Sequence, residues 1–467
     1  MNLAIVLAAG EGTRMKSDRS KVLHTLLGVP MLTYVLDAVR DAGFDTRVII
    51  CGKNEEALKE AYTDKTIAFR RQPIGEGHPY GTGYAVMQAK DFLTDDVPVL
   101  IMAGDVPLVR AQTLNELLRV HTEKSYAATV LTAELDDLTG YGRIIKDEHG
   151  LMTGIVEDRD CTPEQKKIRE VNSGIFIVQA KALADSLDQL TTDNDQGEYY
   201  ITDIFEILAK QELPVGTYAL TDGDEILGIN SKDQLAEVEN IMRRRILTAH
   251  MKEGVLIENP DTVLIAPGIA IGRDTRIEQN CRITGSTSIG SDCVIGQGTV
   301  IRDCQIGSHV KIRSSELEES VVGDYSDMGP YAHLRPKSVL GEKVHLGNFV
   351  EIKNATLGEG TKAGHLAYIG DADLGAGINI GCGVVFVNYD GKKKHRALVE
   401  DGAFVGSNAN VVAPVRIGKS AYVAAGSTIT KDVPEGALSI ERAKQTNLEG
   451  WVERKFGSAK EEQDDQR

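Results

Sequence analysis

The chain has 467 residues and a formal net charge of −17 at pH 7. Its length allows two or three domains, because a domain has roughly 150 residues. The negative charge opposes nonspecific binding to a phosphate backbone, so nucleic acid is not an expected partner. No apolar run reaches the roughly 18 residues of a membrane helix, and the first residues lack a basic segment. We therefore expect a cytoplasmic protein with no membrane partner.

Strands and helices alternate through the first half of the chain. Residues 2–7 form an apolar run typical of a strand, residues 31–42 have amphipathic helical spacing, and residues 47–51 are apolar again. The alternation continues through 97–102, 113–121 and 127–131. It predicts an α/β domain over residues 1–230, with a mostly parallel sheet covered on both faces. Ligands of such sheets bind at the carboxyl ends of the strands.

A helix is predicted between the two halves. Leu235, Val238 and Met242 recur at helical spacing within residues 232–251, and Gly254 ends the pattern. Residues 231–254 are therefore expected to form a helical linker.

A hexapeptide rhythm fills the second half. An aliphatic residue returns at every sixth position from Ile265 to Ile301, and the rhythm restarts at Leu334 and at Val399. Three hexapeptides make one triangular coil, and stacked coils bury a narrow aliphatic core that no single repeat can bury alone. Residues 255–446 are therefore expected to form a solenoid.

Two features carry no functional prediction. The six cysteines are scattered without a CxxC pair, so they are expected to be reduced packing residues. The C-terminal tail, residues 447–467, ends in a charged stretch at 461–467 that has nothing apolar to bury and is expected to be disordered.

The first chemical motif is a glycine-rich turn directly after the first strand. It has the sequence Leu7-Ala8-Ala9-Gly10-Glu11-Gly12-Thr13-Arg14-Met15 and is followed by Lys21. Glycines let backbone N–H groups approach a polyphosphate, and Arg14 and Lys21 supply positive charge. The glycines alone are as compatible with a plain tight turn, but the two cations favour a nucleotide. The pattern is not that of a Walker A loop.

A metal site is predicted at the same edge of the sheet. Asp105 stands at the carboxyl end of a strand, where its carboxylate is a hard ligand for Mg²⁺, with the side-chain oxygen of Asn230 as a second ligand. Taken alone, Asp105 is equally compatible with a helix N-cap or a turn.

The full pattern L-A-A-G-x-G-T-R-M-x5-K resembles the signature of sugar-1-phosphate nucleotidylyltransferases. Further segments follow in the order that this family uses: Ala103-Gly104-Asp105, Gly140-Tyr141-Gly142-Arg143, Val156-Glu157, Val171-Asn172-Ser173-Gly174 and Gly228-Ile229-Asn230. The resemblance implies a Rossmann-like domain that needs Mg²⁺ and transfers a nucleotide from a nucleoside triphosphate to a sugar phosphate. Lys21 and Arg14 would stabilise the charge of the reacting phosphates.

The same resemblance implies contacts with UTP and an amino sugar. The nucleotide would lie against Leu7, Ala8, Ala9, Gly10, Lys21, Gln72, Gly81 and Thr82, and the sugar against Gly142, Glu157 and Asn172. Asn230 is expected to contact a substrate as well as the metal. The chain departs from the family pattern at two places. Several extra residues separate Gln72 from Gly81, and Ala103 stands where the family often has tyrosine.

A pair of cations stands out in the solenoid. Arg335 and Lys353 share one position of the repeat in neighbouring coils, so they are expected to lie at about the 4.8 Å strand spacing. Like charges at that distance repel, and an anion such as a sugar phosphate between them would relieve the repulsion. The alternative is two long side chains that splay into water.

A break in the sixfold rhythm marks a second candidate site. It falls at Lys362-Ala363-Gly364-His365-Leu366-Ala367-Tyr368-Ile369-Gly370-Asp371-Ala372. His365 is of the residue type that takes a proton near neutral pH, as a general base must when an amine attacks a thioester. A lone histidine is more often a surface or packing residue, but the nearby cation pair and a following cluster of Asn and Tyr favour a site.

The motifs G-H-x-x-Y-x-G-D-A, N-x-G and N-Y-D-G resemble the acetyltransferase domain of the bifunctional N-acetylglucosamine-1-phosphate uridylyltransferase and glucosamine-1-phosphate acetyltransferase family. The resemblance implies a left-handed parallel β-helix that forms a homotrimer, with acetyl-CoA near a subunit boundary. It implies that His365 is the general base, that Arg335, Lys353, Tyr368 and Asn379 bind the sugar phosphate, and that Asn388, Tyr389, Ser407, Ala425 and Arg442 contact acetyl-CoA. The gap between Asn388 and Val399, which includes Lys392 to His395, is expected to be a loop that projects from the coil.

The sequence thus predicts two consecutive reactions. Glucosamine-1-phosphate is acetylated by acetyl-CoA in the second half, and N-acetylglucosamine-1-phosphate is then coupled to UTP in the first half with release of pyrophosphate. Two alternatives stay open: a nucleotidylyltransferase whose β-helix only trimerises it, and a non-catalytic subunit that binds nucleotide sugars. His365 beside the cation pair argues against the first, and the presence of Arg14, Lys21 and Asp105 argues against the second.

Overall fold

The computed structural model describes residues 2–75, 77–135 and 138–457. It divides the chain into two compact units, Met1–Ile246 and Leu247–Arg467. This division falls within the segment predicted as a linker, and the predicted boundaries at 230, 254 and 446 stay predictions. The stretch at 461–467 that we expected to be disordered lies outside the described residues.

The first unit is built on one large β-sheet. The strands of this unit are β1 (Leu3–Ala8), β2 (Thr25–Leu26), β3 (Val29–Pro30), β4 (Thr46–Cys51), β5 (Ile67–Arg71), β6 (Pro98–Ala103), β7 (Ala128–Glu134), β8 (Arg143–Lys146), β9 (Met152–Val156), β10 (Glu170–Gln179) and β11 (Val215–Ala219). The main path has the order β11-β7-β10-β6-β1-β4-β5, in which β10 runs antiparallel to its two neighbours and the other pairs are parallel. The antiparallel pair β8-β9 is attached to β10, and β2 pairs only with β3. The predicted mostly parallel sheet is confirmed.

Helices cover both faces of this sheet. They are α1 (Met31–Asp41), α2 (Glu55–Ala61), α3 (Thr82–Met87), α4 (Ala111–Glu123), α5 (Ala180–Leu187) and α6 (Asp203–Lys210). A further helix, α7 (Lys232–Lys252), follows and contains the boundary between the two units. Ile5 and Ile101 belong to an apolar cluster with α3, α5 and α6. Val6 and Leu100, which point to the other face, are also fully buried. Burial on both faces explains why these strands are continuous apolar runs.

The carboxyl ends of β1, β4 and β6 lie side by side. Leu7 pairs with Ile50 on one side and with Ala103 on the other. Because β10 is antiparallel, its beginning, near Asn172, lies at this same edge. The loops that follow β1 and β6 and the segment that begins β10 are therefore gathered at one edge of the sheet.

The second unit is a parallel β-helix with three faces. The first face has strands Leu256–Ile257, Arg276–Ile277, Val294–Ile295, Lys311–Ile312, Asp327–Met328, His345–Asn348, Lys362–His365, Asn379–Ile380, Phe404–Val405, Tyr422–Val423 and Leu438–Ser439. The second has Leu264–Ile265, Arg282–Thr284, Val300–Arg302, Glu316–Glu318, His333–Leu334, Glu351–Lys353, Tyr368–Gly370, Val385–Val387, Asn410–Val412 and Thr428–Ile429. The third has Ala270–Ile271, Ser288–Ile289, Gln305–Ile306, Val321–Val322, Val339–Leu340, Thr356–Leu357, Ala372–Leu374, Ala397–Val399 and Arg416–Ile417. A last helix, α8 (Trp451–Phe456), follows the coils.

The interior of the β-helix consists of stacked aliphatic columns. Ile265, Ile283 and Ile301 follow one another on the second face and are fully buried. Leu334 and Ile352 continue this column. The predicted hexapeptide core is thus confirmed, and the fold class is the predicted one, a Rossmann-like domain followed by a left-handed parallel β-helix.

The turns before the strands bury small polar or thiol side chains. Thr275 Oγ1 donates to the Gly290 carbonyl at 2.8 Å, and the Cys281 thiol donates to the Gly296 carbonyl at 3.2 Å. The six cysteines are free. Burial raises the pKa of the Cys281 and Cys304 thiols to about 11, which keeps them protonated and unreactive at neutral pH.

One loop interrupts the coils between Val387 and Ala397. Tyr389 forms an antiparallel bridge with Lys394, and His395 Nε2 lies 2.7 Å from Asp390 Oδ2. The loop is the segment that the sequence indicated as projecting from the solenoid. Within the described residues, no helix is long and apolar enough to cross a membrane.

Candidate active sites

A cleft opens at the carboxyl edge of the sheet in the first unit. Its lining residues are Leu7, Ala8, Ala9, Gly10, Lys21, Val22, Gln72, Tyr80, Gly81, Thr82, Ala85, Ala103, Asp105 and Glu198. The cleft thus gathers the residues predicted to contact the nucleotide together with the predicted metal ligand Asp105. Tyr80 and Glu198 belong to no motif that the sequence analysis used and were missed.

The glycine loop packs closely against Lys21, the residue that closes the motif. Gly12 has φ +62°, and a Cβ there would lie 2.8 Å from Lys21 Cβ, so only glycine lets Lys21 pack against the loop. The Asn54 side-chain amide, which the sequence analysis missed, donates to the Ala8 carbonyl at 2.9 Å and to Ser20 Oγ at 2.8 Å. Arg14 lies in a short helical turn with its side chain exposed and is not among the described residues that line the cleft.

Lys21 lies between the two predicted metal ligands. Its ammonium forms an ion pair with Asp105 Oδ2 and donates to Asn230 Oδ1 at 3.0 Å. The Lys21 and Asp105 side chains are only 13% and 15% exposed. The Asp105 carboxylate and the Asn230 amide oxygen therefore face one common point, and both are oxygen ligands of the kind that Mg²⁺ prefers.

Gln72 reaches the cleft in spite of the longer segment after it. Its side chain is 5% exposed and its amide donates to the Gly81 carbonyl at 3.3 Å. Gly81, directly before α3, has φ +114°, and a Cβ there would lie 2.4 Å from the Tyr199 carbonyl oxygen. Thr82 Oγ1 accepts from the Ile201 N–H at 3.1 Å. Gln72 and the Gly81-Thr82 turn therefore form one side of the cleft.

The three residues predicted for the amino sugar lie near one another. The Gly142 carbonyl accepts from the Asn172 N–H at 2.8 Å, and a Cβ on Gly142 would lie 3.4 Å from Glu157 Oε2. Glu157 Oε1 accepts from Thr202 Oγ1 at 2.9 Å, a partner that the sequence did not indicate. Burial raises the pKa of Glu157, and the carboxylates of Asp160 and Asp158 add to this shift.

In the β-helix, Arg335 and Lys353 lie on consecutive coils of the second face as predicted, because Leu334 pairs with Ile352. Arg335 Nη1 also lies 2.9 Å from Glu351 Oε1, so a carboxylate of the chain already pairs with one of the two cations. The pKa of Lys353 is lowered by Lys394 first and by Arg335 second. Lys394, from the projecting loop, is thus a third cation at this position, and the repeat did not indicate that it lies beside Lys353.

His365 ends a strand of the first face with its side chain exposed. Its Nδ1 lies 2.9 Å from Asn348 Oδ1 on the preceding coil. Because an amide oxygen only accepts, this bond places the proton on Nδ1 and leaves Nε2 free to take up another. Asn348, 17 residues before His365, occupies the equivalent position one coil earlier, which is the signal that could have identified it.

Two of the predicted acetyl-CoA contacts continue the column that contains His365. Ser407 and Ala425 are exposed and follow later strands of the first face, and Arg442 Nη1 donates to the Ala425 carbonyl at 3.0 Å. Asn388 and Tyr389, the remaining two of the five predicted contacts, follow a strand of the second face. Asn388 is buried, and its amide donates to Asp371 and, at 3.5 Å, to Tyr368 Oη.

The chain alone does not bring all of the acetyl-transfer residues to one point. Asn379 begins a strand of the first face and His365 ends the preceding strand of that face, whereas Lys353 ends a strand of the second face. Tyr368 lies with Lys353 on the second face. The predicted sugar-phosphate residues therefore form separate groups on the surface of one chain.

Comparison with known proteins agrees with both halves of the structure. Residues 3–224 match the model of the nucleotidyl transferase family, and residues 265–359 match that of the GMPPB C-terminal domain. The chain is 48% identical over 452 residues to bifunctional protein GlmU of Enterococcus faecalis, with 97% of this chain and 98% of that protein covered. It is 46% identical over 453 residues to bifunctional protein GlmU of Clostridioides difficile, with 97% of each chain covered.

The protein of the same name from Alkaliphilus metalliredigens is 45% identical over 452 residues, which cover 97% of this chain and 98% of that protein. Similarity of this extent covers the cleft of the first unit and the coils of the second. The chain therefore belongs to the bifunctional GlmU family, and it combines the uridylyltransferase and acetyltransferase activities that its sequence motifs predicted.

Proposed function

We propose that each unit carries one of the two reactions that lead to UDP-N-acetylglucosamine. The β-helix acetylates glucosamine-1-phosphate, and the first unit couples the N-acetylglucosamine-1-phosphate formed there to UTP. The observation that carries the first-unit assignment is the cleft in which the glycine loop, Lys21 and Asp105 meet. We also propose a cytoplasmic location, since both co-substrates are charged, water-soluble molecules.

Uridylyl transfer in the cleft needs positioning rather than a protein nucleophile. A phosphate oxygen of N-acetylglucosamine-1-phosphate attacks the α-phosphorus of UTP, and the bond to pyrophosphate breaks. The glycine loop and Gln72 bind the nucleotide, while Gly142, Glu157 and Asn172 bind the sugar. Lys21 stabilises negative charge on the phosphates, and we place Arg14, which is exposed, at the outer phosphates.

Asp105 and Asn230 are proposed to hold Mg²⁺. Their two oxygens fit the ion, and no cluster of three or more His, Cys, Asp or Glu side chains suited to a metal occurs among the residues described. The remaining ligands would be phosphate oxygens and water, which is common for Mg²⁺ at nucleotide sites. When bound, the ion neutralises charge on the triphosphate. Lys21 must then leave these two oxygens, and the triphosphate offers it a new partner.

Acetyl transfer is assigned to His365. Its Nε2 takes a proton from the 2-amino group of glucosamine-1-phosphate as the nitrogen bonds to the carbonyl carbon of acetyl-CoA. The C–S bond breaks, and CoA leaves as a thiol after it receives that proton. Arg335, Lys353, Tyr368 and Asn379 bind the sugar phosphate, Lys394 adds a third cation, and Asn388, Tyr389, Ser407, Ala425 and Arg442 contact acetyl-CoA.

A homotrimer would complete the acetyl-transfer site. The separation of His365 from Lys353 on one chain supports this proposal, since a neighbouring copy can supply the missing group. A second support is a row of exposed apolar side chains at the turn between the first and second faces. Tyr331, Phe349 and Leu366 are 61%, 53% and 57% exposed, and the rings of the first two are stacked 5.3 Å apart. Such a row favours contact with another copy.

The test is acetyl transfer to glucosamine-1-phosphate, measured as free thiol released from acetyl-CoA. We expect His365→Ala to lower the rate on the order of 10²–10⁴-fold with the oligomer intact. The control is His309→Ala, because His309 is also an exposed histidine of the β-helix but is stacked on Tyr325 at 4.5 Å. Full activity of His365→Ala would remove this residue from the mechanism. Lack of thiol release by the unaltered chain would contradict the acetyl-transfer assignment.

A further inference from the structure

Arg143 is a buried cation that the proposed reaction does not use. It begins β8 and is 3% exposed. One Nη lies 3.2 Å from Asp158 Oδ1, the other donates to the Tyr141 carbonyl, and Nε is buried with no partner among the residues described. A buried ion pair stabilises a fold little, and an unpaired buried donor opposes folding. What distinguishes this pair is the part of the chain that its two members hold in place.

Asp158 connects this guanidinium to the turn before β8. Its second carboxylate oxygen, Oδ2, accepts from the Gly140 N–H at 3.0 Å. Arg143 and Asp158 thus bind the backbone of both Gly140 and Tyr141 and fix the path of the chain into Gly142. Asp158 also directly follows Glu157, so the pair joins the turn at residues 140–142 to the end of β9.

The turn that the pair fixes lies against the proposed sugar residues at close range. A Cβ on Gly142 would lie 2.9 Å from Ile155 Cγ2 and 3.4 Å from Glu157 Oε2, so a small movement of the turn changes the space beside Glu157. The Gly142 carbonyl is also the acceptor for the Asn172 N–H at 2.8 Å. Displacement of the turn would therefore disturb Gly142, Glu157 and Asn172 together.

We propose that Arg143 and Asp158 are positioning residues for the N-acetylhexosamine 1-phosphate, and that they set the affinity for this substrate by holding the turn at residues 140–142 against Glu157. The inference rests on the proposed assignment of Gly142, Glu157 and Asn172 to the sugar. The nucleotide side of the cleft is built from β1, α3 and their loops, so its contacts are expected to survive the loss of the pair.

The test is uridylyl transfer by the full-length chain, with each substrate varied in turn. Arg143→Met should raise KM for N-acetylglucosamine-1-phosphate about ten-fold or more while KM for UTP changes less than about two-fold, because misplaced binding groups affect only the substrate they position. Arg143→Lys should restore part of the loss, since one ammonium reaches Asp158 but lacks the second arm for the Tyr141 carbonyl.

Arg47→Met is the matched control. Arg47 is 4% exposed, its Nη2 lies 2.7 Å from Asp64 Oδ2, and its Nε is likewise buried without a partner among the residues described. It stands near the amino end of β4, at the sheet edge opposite the cleft. The substitution should therefore leave KM for the sugar unchanged, whatever its effect on thermal stability. Acetyl transfer, measured on each variant, reports whether the β-helix is intact.

An unchanged KM for the sugar in Arg143→Met would overturn the positioning role, and so would an equal rise in Arg47→Met. Glu157→Gln separates this failure from failure of the sugar-site assignment. If Glu157→Gln raises KM for the sugar and Arg143→Met does not, only the positioning role is wrong. If Glu157→Gln has no effect on that KM, the assignment of the sugar to this pocket is wrong, and the inference falls with it.

Discussion

The two units hold their site residues in different ways. In the first unit, β1 and β6 end side by side, and the glycine loop, Lys21 and Asp105 meet in one cleft of one chain. In the β-helix, His365 lies on the first face and Lys353 on the second. A parallel sheet gathers the ends of its strands at one edge, whereas a triangular coil distributes equivalent positions over three faces. One chain can thus form the first site alone, and we expect the second to require a neighbouring copy.

A large effect should follow a change in the cleft that lies within one chain. Asp105→Asn removes the carboxylate that pairs with Lys21 and that we assign to Mg²⁺. We expect uridylyl transfer, measured as pyrophosphate release, to fall on the order of 10²–10³-fold, because this charge acts on the reacting phosphates. Acetyl transfer should be unchanged. Equal loss of both activities would show that the two sites are not independent, and it would contradict the assignment of one site to each unit.

The acetyl-transfer site can be tested by mixing two inactive chains. His365→Ala and Lys353→Ala should each lose most acetyl transfer alone. If neighbouring subunits share the site, trimers reassembled from an equal mixture should recover about a quarter of the original activity, since one interface in four pairs an intact His365 with an intact Lys353. Thiol release before and after reassembly measures the recovery. No recovery after verified subunit exchange would mean that both groups act within one chain.

The sequence could indicate which residues meet in the cleft of the first unit because the determinants of their placement are local. The loop from Leu7 to Met15 follows a strand, and any parallel sheet gathers the segments after its strands, so Asp105 could be assigned to the same edge. Gln72 shows the limit of this reasoning. Its distance along the chain from Gly81 departs from the family pattern, yet the fold brings the two within hydrogen-bonding distance. Spacing in sequence could not reveal that the extra residues form a loop.

In the β-helix, the repeat predicted which residues stack on one another in successive coils. It could not predict the side chains that approach these stacks from outside the repeat. The periodicity predicted that Arg335 and Lys353 occupy equivalent positions on consecutive coils, and the structure has this register. The approach of Lys394 to Lys353 could not be predicted, because Lys394 comes from a loop outside the repeat and reaches Lys353 only through the path of that loop. Thr202 beside Glu157 is a similar case, since tertiary contact alone brings the two together.

Asn348 offers a test of how the β-helix prepares its base. Asn348→Ala removes the acceptor at 2.9 Å from His365 Nδ1, so the imidazole loses its fixed orientation and tautomer. We expect the maximal rate of acetyl transfer to fall roughly ten-fold, the size of effect seen when a histidine loses its orienting partner. KM for acetyl-CoA should change little. A normal rate would indicate that packing of the coil alone orients His365.

The glycine loop allows binding and folding roles to be separated within the first unit. A Cβ on Gly10, which lines the cleft, would have no heavy atom of the described residues within 4 Å, whereas a Cβ on Gly12 would lie 2.8 Å from Lys21 Cβ at φ +62°. Gly10→Ala should raise KM for UTP several-fold without loss of stability. Gly12→Ala should also destabilise the unit by about 1–2 kcal/mol, because the backbone conformation is unfavourable for alanine. Steady-state kinetics and thermal unfolding distinguish the two variants, and equal destabilisation would contradict this division.

The two units also differ in the charge that they bury. The buried polar groups of the β-helix are mostly small Ser and Thr side chains together with the carboxylate of Asp371. The first unit buries Arg47, Arg143 and Glu225 and partly buries Asp203 beside Glu157. Burial, with the nearby carboxylates, raises the pKa of Asp203 to about 6. The folded state therefore binds this proton more tightly than the unfolded state. As a result, the fold loses stability as pH rises from about 4 to about 6.

Asp203→Asn should remove this penalty. Because the carboxylate is ionised in both states above pH 6 and protonated in both below pH 4, the variant should be more stable than the original chain at pH 8, and the gain should disappear near pH 4. We expect a rise in Tm of roughly 2–4 °C at pH 8 for the transition of the first unit. The transition of the β-helix should not move, since Asp203 belongs to the other unit. A rise in Tm that persists at pH 4 would mean that the asparagine amide improves packing. The ionisation of Asp203 would then not be the cause of the stability change.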